Sequence, residues 1–523
     1  MNLRNETVVV GAGVAGLTCA CYLAKSGLQT LLVEKESKTG GLVNTFWHDG
    51  FAFDGGARAF ENSGILFPML KGLGIDLEFV KNPVSIGIGE RWVTLTSRDS
   101  LEKYANLLSK TFPDNAADVA LIAGDIRKIM GYLDVIYGID NPLFLEDMHD
   151  PKYLKDSLLP WLLKYQKNIR HIKRLSEPVY AHLKQLTTNQ ALVDMIAQHF
   201  FQNTPSFFAM SYFGLYLDYS YPMGGTGMLA QRLTDYFLEA GGTLLTNATA
   251  HQIDPDKHEL ILSDGQNLSY KQLVWAADQR MLYQALPAAV PAKVSKQRSL
   301  TASSTGADSI FSLFLGVDIE RKIVAERMGA HAFFTPEIIG LSSLPGWKNV
   351  AQSGVQSLYR WVDSYLERTT YELSCPAERD PSLAPDGKTG IIISTLMDYE
   401  LVKFMADAGE YETFKQVCTN KIIAILDATL LQGLQEKTLF SICATPVTIE
   451  EKAGTLQGAI TGWAFTNPIM PSESRFDRIT KSVKTPIPDV VQCGQWAFSP
   501  SGVPTCVLTG KLAADTVIKK LKI

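Results

Sequence analysis

A chain of 523 residues, 46% hydrophobic and 20% charged, is long enough for two domains or one large composite around a substantial core. A net charge of -5 without a long basic run excludes a nucleic-acid surface. Seven cysteines without C-x-x-C spacing and eight histidines without metal-ligand pairing predict reduced, mostly buried thiols and no metal centre.

The first element in chain order is the most informative. Val8-Val9-Val10 reads as a buried strand, Gly11 as a sharp turn, and Gly13 as a position where a missing Cβ lets a pyrophosphate approach. Gly16 then allows the following helix, which runs through Ala15 to Ala24, to pack closely on the strand. The helix N-terminus offers unpaired N–H groups to phosphates. A second strand, Thr30-Leu31-Leu32-Val33, delivers Glu34, an acid placed for a ribose 2′-hydroxyl and repulsive to a 2′-phosphate. The unit therefore predicts FAD or NAD rather than NADP. The same apolar run could pass for a signal peptide, but the positioned glycines explain it better, and no apolar stretch is long enough to span a bilayer.

After Glu34 and Lys35 come Gly40-Gly41 and then Phe53-Asp54-Gly55-Gly56-Ala57-Arg58. This combination resembles the flavoproteins that include amine oxidases and phytoene desaturases. The resemblance implies FAD, with Gly40 and Gly41 along its diphosphate, Gly55, Gly56 and Ala57 near the flavin, and Lys35 also at the cofactor. Leu42 departs from the pattern, since arginine is common there.

From Ser100 to about Lys184 the apolar residues recur at helical spacing, and Pro113, Pro142, Pro151, Pro160 and Pro178 divide the stretch into separate helices. An aromatic run follows, Phe200-Phe201 and Phe207 to Tyr216, part of which is expected to line a channel for an apolar substrate. The chain then returns to the cofactor with Tyr221-Pro222-Met223-Gly224-Gly225, an amphipathic helix, Gly241-Gly242, a hairpin turning at Asp264-Gly265, and a strand ending Ala276-Ala277-Asp278. That order resembles the phytoene desaturase, carotenoid isomerase and retinol saturase branch. By this resemblance Ala250 to Ile253 approach the adenine through backbone groups.

Strands such as Ile310 to Val317 and Ile391 to Ile393 make the sheet half of a substrate domain. The last segment, Val490 to Pro504, again resembles the family and places Gly494, Gln495, Gly502 and Val503 at the cofactor. There the following helix aims a second N-terminus at the flavin. Gln495 stands where an aspartate is frequent, and Ser501 where glycine is common. Cys493 and Cys506 are expected to be buried thiols rather than flavin attachment points.

The expected fold is α/β: a Rossmann-type FAD-binding domain (1–99, 220–290 and 445–523) interleaved with an α+β substrate domain (a helical region 100–219 and a sheet region 291–444). The resemblance implies an FAD-dependent oxidoreductase for a hydrophobic isoprenoid or polyene, working by desaturation, saturation or isomerisation. A saturating enzyme also needs a proton donor, for which Arg58 and Glu61 are the candidates. Two alternatives stay open: a flavin amine oxidase, and a non-redox carrier of lipidated protein on the same fold. The complete Gly11/Gly13/Gly16 set, Glu34 and the intact C-terminal segment speak against the carrier. A cytoplasmic location is expected, with peripheral membrane contact because an apolar substrate partitions into lipid.

Overall fold

The computed structural model describes residues 4–145 and 151–522. One seven-stranded sheet runs Ala250–Asp254, Glu259–Leu262, Asn267–Trp275, Arg4–Val10, Thr30–Val33, Thr243–Leu245, with Val490–Gln492 also paired to Asn267–Trp275. Its centre is parallel: Val8, Val9 and Val10 pair with Leu273, Val274 and Trp275 on one side and with Leu31, Leu32 and Val33 on the other. Strands buried on both faces need continuous apolar sequence, which is what these triplets supply. The helices Val14–Lys25 and Val503–Leu521 cover one face, crossing where Gly510 has no side chain, since a Cβ there would lie 2.5 Å from the Ala15 carbonyl oxygen.

The second seven-stranded sheet runs Thr438–Ala444, Ser309–Val317, Thr389–Met397, Tyr371–Ser374, His331–Thr335, Val84–Ile88, Arg91–Leu95. The last two strands come from the 1–99 segment expected to serve the cofactor alone. Val84 to Ile88 pairs in parallel with His331 to Thr335, so the substrate sheet borrows its edge from the N-terminal segment. One face, with Leu313, Leu373 and Ile393, packs on the helices Val355–Arg368 and Tyr411–Thr429 in a core of its own. The other face looks towards the first sheet.

The helical region forms largely as its periodicity predicts, with helices Ser100–Thr111, Ala116–Ile136, Leu159–Ile172 and Val179–Leu183. Pro160 does not separate two helices. Leu154–Leu158 winds as a π turn, so the chain stays helical from Pro151 to Ile172 and absorbs the proline without an N–H at the first turn of Leu159–Ile172. Among the described residues no helix is long and apolar enough to cross a membrane.

Candidate active site: a dinucleotide cradle opening into an aromatic chamber

A single cavity of about 1360 Å³ lies at the C-terminal ends of the parallel strands and reaches the second sheet. Drug-sized ligands occupy roughly 300–1,000 Å³, so the space exceeds the need of one such molecule.

Its first half is the cradle. Gly11 has φ +97°, and a Cβ there would lie 3.0 Å from the Ala276 carbonyl oxygen. At Gly13 a Cβ would meet nothing within 4 Å, because the position opens onto the cavity. Gly16 behaves differently: it is off the cavity wall, and its Cβ would fall 1.9 Å from the Gly11 carbonyl oxygen. Its role is helix-on-strand packing and not ligand contact. The helix Val14–Lys25 has no side-chain cap, and neither does Val503–Leu521, so two sets of first-turn N–H groups are left at one cavity.

Glu34 is held before any ligand arrives. Its Oε2 accepts from the Ala12 amide at 2.7 Å and its Oε1 from the Glu36 amide at 3.0 Å, leaving further lone pairs on both oxygens for hydroxyl donors. Lys35 also lines the cavity, but its ammonium is engaged by the Glu451 carbonyl at 3.0 Å and by Glu36 at 3.1 Å.

Gly40-Gly41 and Gly55-Gly56 interlock. The Gly40 amide donates to Ala12, and the Gly55 and Ala57 amides donate to Asn44 and Leu42. A Cβ on Gly56 would sit 1.9 Å from the Leu42 carbonyl oxygen, and one on Gly55 2.3 Å from Asn44 Oδ1. The two motifs are thus a pair of crossing chains. Leu42 keeps its place on the wall and provides that contact through its backbone.

Ala250 lines the cavity, as do Ala248 and Thr249, but Ile253 does not. Ile253 is fully buried in the core and its amide donates to the Ala285 carbonyl at 2.8 Å, so the expected approach to the adenine stops at the start of the strand. Gln495, Gly494, Gly502 and Val503 line the far end. The Gln495 side chain makes no hydrogen bond to the described residues, which leaves its amide to a ligand. Cys506 lines the wall too, but burial pushes its thiol up to about 12, which keeps it protonated and un-nucleophilic.

The observations fit FAD: an open Cβ position at Gly13, an oriented acid at Glu34, and two uncapped helix N-termini. Gly11, Gly13, Ala15, Glu34, Gly40 and Gly41 would hold its adenosine and diphosphate part, and the Gly55–Ala57 turn, Gln495, Gly502 and Val503 would lie towards its flavin end.

Asp54, central to the second motif, is wholly buried and off the wall. Its Oδ1 accepts from the Thr226 amide, the Thr226 hydroxyl and the Thr45 hydroxyl at 2.8, 2.9 and 2.8 Å, and its Oδ2 accepts from the Tyr221 hydroxyl at 2.8 Å. Asp54 of the second motif and Tyr221 of the returning segment are thus joined directly. Arg58 is pinned by donating to the Asp54 and Gly56 carbonyls and to Ser394 Oγ, yet its buried Nε has no partner among the described residues. A guanidinium so bound is a structural clamp with one edge on the cavity and cannot give up a proton.

Glu61 is better placed for proton chemistry. It lines the cavity beside Gly502, and burial, helped by the Asp218 charge, pushes its carboxyl up to about 7. A carboxyl titrating near 4.5 unfolded and about 7 folded favours the folded state in its protonated form. Stability from this group is therefore complete below about pH 4.5 and declines by about 1.4 kcal/mol per pH unit until pH 7. The Glu61→Gln variant should lack that slope, so its melting temperature should gain on the wild type as pH rises from 4.5 to 7. Parallel melting curves would show that Glu61 is not buried as described.

The second half of the cavity is the aromatic chamber. His199, Phe200, Phe208, Tyr212, Tyr216 and Tyr219 line it, while Phe207, Met210 and Phe213 of the same run turn into the helical core. Sequence reasoning anticipated the aromatic wall but missed the polar group opposite. Cross-strand pairing puts Phe333, Glu372, Ser394 and Ser312 in one row across the sheet. Glu372 Oε1 lies 2.9 Å from His331 Nε2, and His331 Nδ1 lies 3.0 Å from the Asn82 amide nitrogen.

The fold and this site define a flavin-dependent oxidoreductase with a dinucleotide cradle joined to an aromatic substrate chamber. The profile of flavin containing amine oxidoreductases matches residues 14–518, and the chain belongs to that family. It is 23% identical to the prolycopene isomerase of carrot over 463 residues, covering 85% of this chain and 69% of that one. It is also 23% identical to the lycopene-forming phytoene desaturase of Pseudescherichia vulneris over 533 residues, covering 99% and 100%. An oxidoreductase from Methanosarcina mazei shares the fold with a TM-score of 0.60 at 14% identity, covering 98% of this chain and 100% of that one.

Proposed function

We propose that this FAD-dependent oxidoreductase acts on a hydrophobic isoprenoid or polyene, by desaturation, saturation or isomerisation. The observation that carries the reading is the continuity of the dinucleotide cradle with an aromatic-walled chamber in one cavity. The names of its relatives, a prolycopene isomerase and a phytoene desaturase, support a polyene-type substrate. When bound, FAD supplies hydride acceptance and donation at its ring system. The chain's own contribution is positional: Tyr212, Tyr216 and Phe208 bind and orient an apolar chain and exclude water, and Glu61 holds a proton at its carboxyl below about pH 7. The test is the visible spectrum of the purified protein, with release of FAD on acid treatment, then anaerobic bleaching by polyenes against amines. Polyenes alone are expected to act on the flavin, bleaching its oxidised form in a desaturation or reoxidising its reduced form in a saturation; bleaching by amines alone would replace this reading with an amine oxidase.

The seven cysteines are unpaired, which supports a reducing compartment such as the cytoplasm. Peripheral membrane contact is supported by the helix Leu159–Ile172, where Leu159 and Leu163 are 56% and 65% exposed beside Lys164, Lys167 and Arg170. Sedimentation with vesicles containing anionic lipid should recover the protein, and Leu159→Asp with Leu163→Asp should abolish that recovery. Equal recovery of the double variant would remove this helix as the contact.

A further inference from the structure

The row of side chains facing the aromatic wall contains a polar group that a pure hydrocarbon would not use. Arg379 donates to Asn82 Oδ1 at 2.9 Å, and because a guanidinium cannot accept, this fixes which end of the Asn82 amide is oxygen. The Asn82 amide nitrogen therefore donates to His331 Nδ1, 3.0 Å away, and Nδ1 must be an acceptor. The remaining ring N–H, on Nε2, donates to Glu372 Oε1 at 2.9 Å. Arg379 is fixed in turn by Ser374 Oγ at 2.7 Å and by the Tyr221 ring, 3.8 Å from the guanidinium carbon. Three residues from separate parts of the chain, His331, Asn82 and Arg379, thus hold one carboxylate in one orientation.

That carboxylate faces the chamber. His331 is wholly buried, but Glu372 keeps 32% of its side-chain surface accessible and lines the cavity. Its Oε2 has no hydrogen-bond partner among the described residues. Burial works against ionising Glu372, but its hydrogen-bonding and electrostatic contact with His331, followed by the neighbouring Arg58 charge, outweighs it and holds the carboxyl below its usual range. Burial also keeps the His331 ring below its usual range, in agreement with the neutral tautomer derived above. A hydrocarbon filling the chamber would strip water from an ionised oxygen and offer nothing in return, an arrangement that strongly disfavours binding.

We propose that the Glu372 carboxylate, oriented by His331, Asn82 and Arg379, receives a hydroxyl group of the substrate, so that the preferred ligand is an oxygenated isoprenoid alcohol and not a hydrocarbon. The donor is a neutral one because Arg58 and Arg379 already lie close enough to balance the carboxylates of Glu372 and Asp54. An ammonium group would add a further positive charge to a balanced cluster. This inference rests on the isoprenoid reading of the chamber and names the group by which the site would choose among isoprenoids.

The test is a binding comparison on the FAD-loaded protein under anaerobic conditions, read by quenching of tryptophan fluorescence and by perturbation of the flavin absorption bands. The probes share one carbon skeleton: farnesene, farnesol and farnesylamine. Farnesol is expected to bind about tenfold or more tightly than farnesene, as a charge-assisted hydrogen bond demands. In Glu372→Gln, which keeps the side-chain shape, that ratio should fall to within about threefold of unity. Equal wild-type affinities for farnesol and farnesene would overturn the proposal even if the variant failed to fold. Preference for farnesylamine would overturn it in favour of a cation site. Failure of all three probes to bind would sink the isoprenoid reading itself, and this inference with it.

Discussion

Gly13→Val is expected to give a folded protein without flavin. Gly13 has φ -71° and ψ 175°, an extended conformation open to any residue, so the substitution adds no backbone strain. The space around its missing Cβ contains no protein atom within 4 Å, so the new side chain has room in the apoprotein. That room is the cradle itself, between the first helix N-terminus and the Gly40-Gly41 turn, whose Gly41 would place its own Cβ 3.5 Å from the Gly13 Cα. Overpacking costs about 1–3 kcal/mol, which is about fivefold to 150-fold in FAD affinity. Gly16→Ala makes the contrast: its Cβ meets backbone 1.9 Å away and should destabilise the fold as well as release flavin. The measurement is the ratio of flavin to protein absorbance in each variant, beside the melting temperatures of the apoproteins, since bound FAD would itself raise stability. A Gly13→Val protein retaining full flavin would refute the cradle assignment.

The contrast between these two glycines shows what sequence could and could not resolve. A strand, three spaced glycines, a helix and a terminal acid are local, and each link is fixed by bonds within about thirty residues, so the cradle was readable from one end of the chain. The aromatic wall was half readable: its composition announced a wall, but only the helix register of Ser206–Tyr216 decided that Tyr212 faces the chamber and Phe213 the core. Two matters were not readable. Val84–Ile88 and Arg91–Leu95 alternate as strands should, but alternation does not say which sheet a strand joins, and they joined the sheet of His331–Thr335. The Glu372 cluster depends on contacts between residues 41 to 297 positions apart, where no spacing rule operates. Ile253 illustrates the opposite case: the resemblance extended a backbone contact along a strand that leaves the cavity after Ala250, with His251 and Gln252 exposed and the Ile253 amide taken by Ala285.

Asp54→Ala is expected to be the most damaging single change outside the apolar cores. The carboxylate is fully buried and accepts from two threonines and a tyrosine, each of which would be left facing a cavity. Removing one partner of such a cluster costs about 3–5 kcal/mol, a large part of the stability of any domain. The graded variants distinguish lost acceptors from lost volume. In Asp54→Asn the amide nitrogen cannot stand at Oδ1, because the Thr226 N–H points there and a backbone donor cannot turn round. It must take the Oδ2 place, where the Tyr221 hydroxyl can rotate to accept, so the loss should be smaller, about 2 kcal/mol. Tyr221→Phe removes one donor and leaves Oδ2 unpaired, costing about 1–2 kcal/mol. Denaturant midpoints should therefore fall in the order Tyr221→Phe, Asp54→Asn, Asp54→Ala, and flavin retention should follow the same order, because Asp54 fixes the turn at Gly55-Gly56 without touching the cavity. A freely tolerated Asp54→Ala that still holds flavin would mean that the crossing of the two glycine pairs, and not this buried acid, determines the shape of the site.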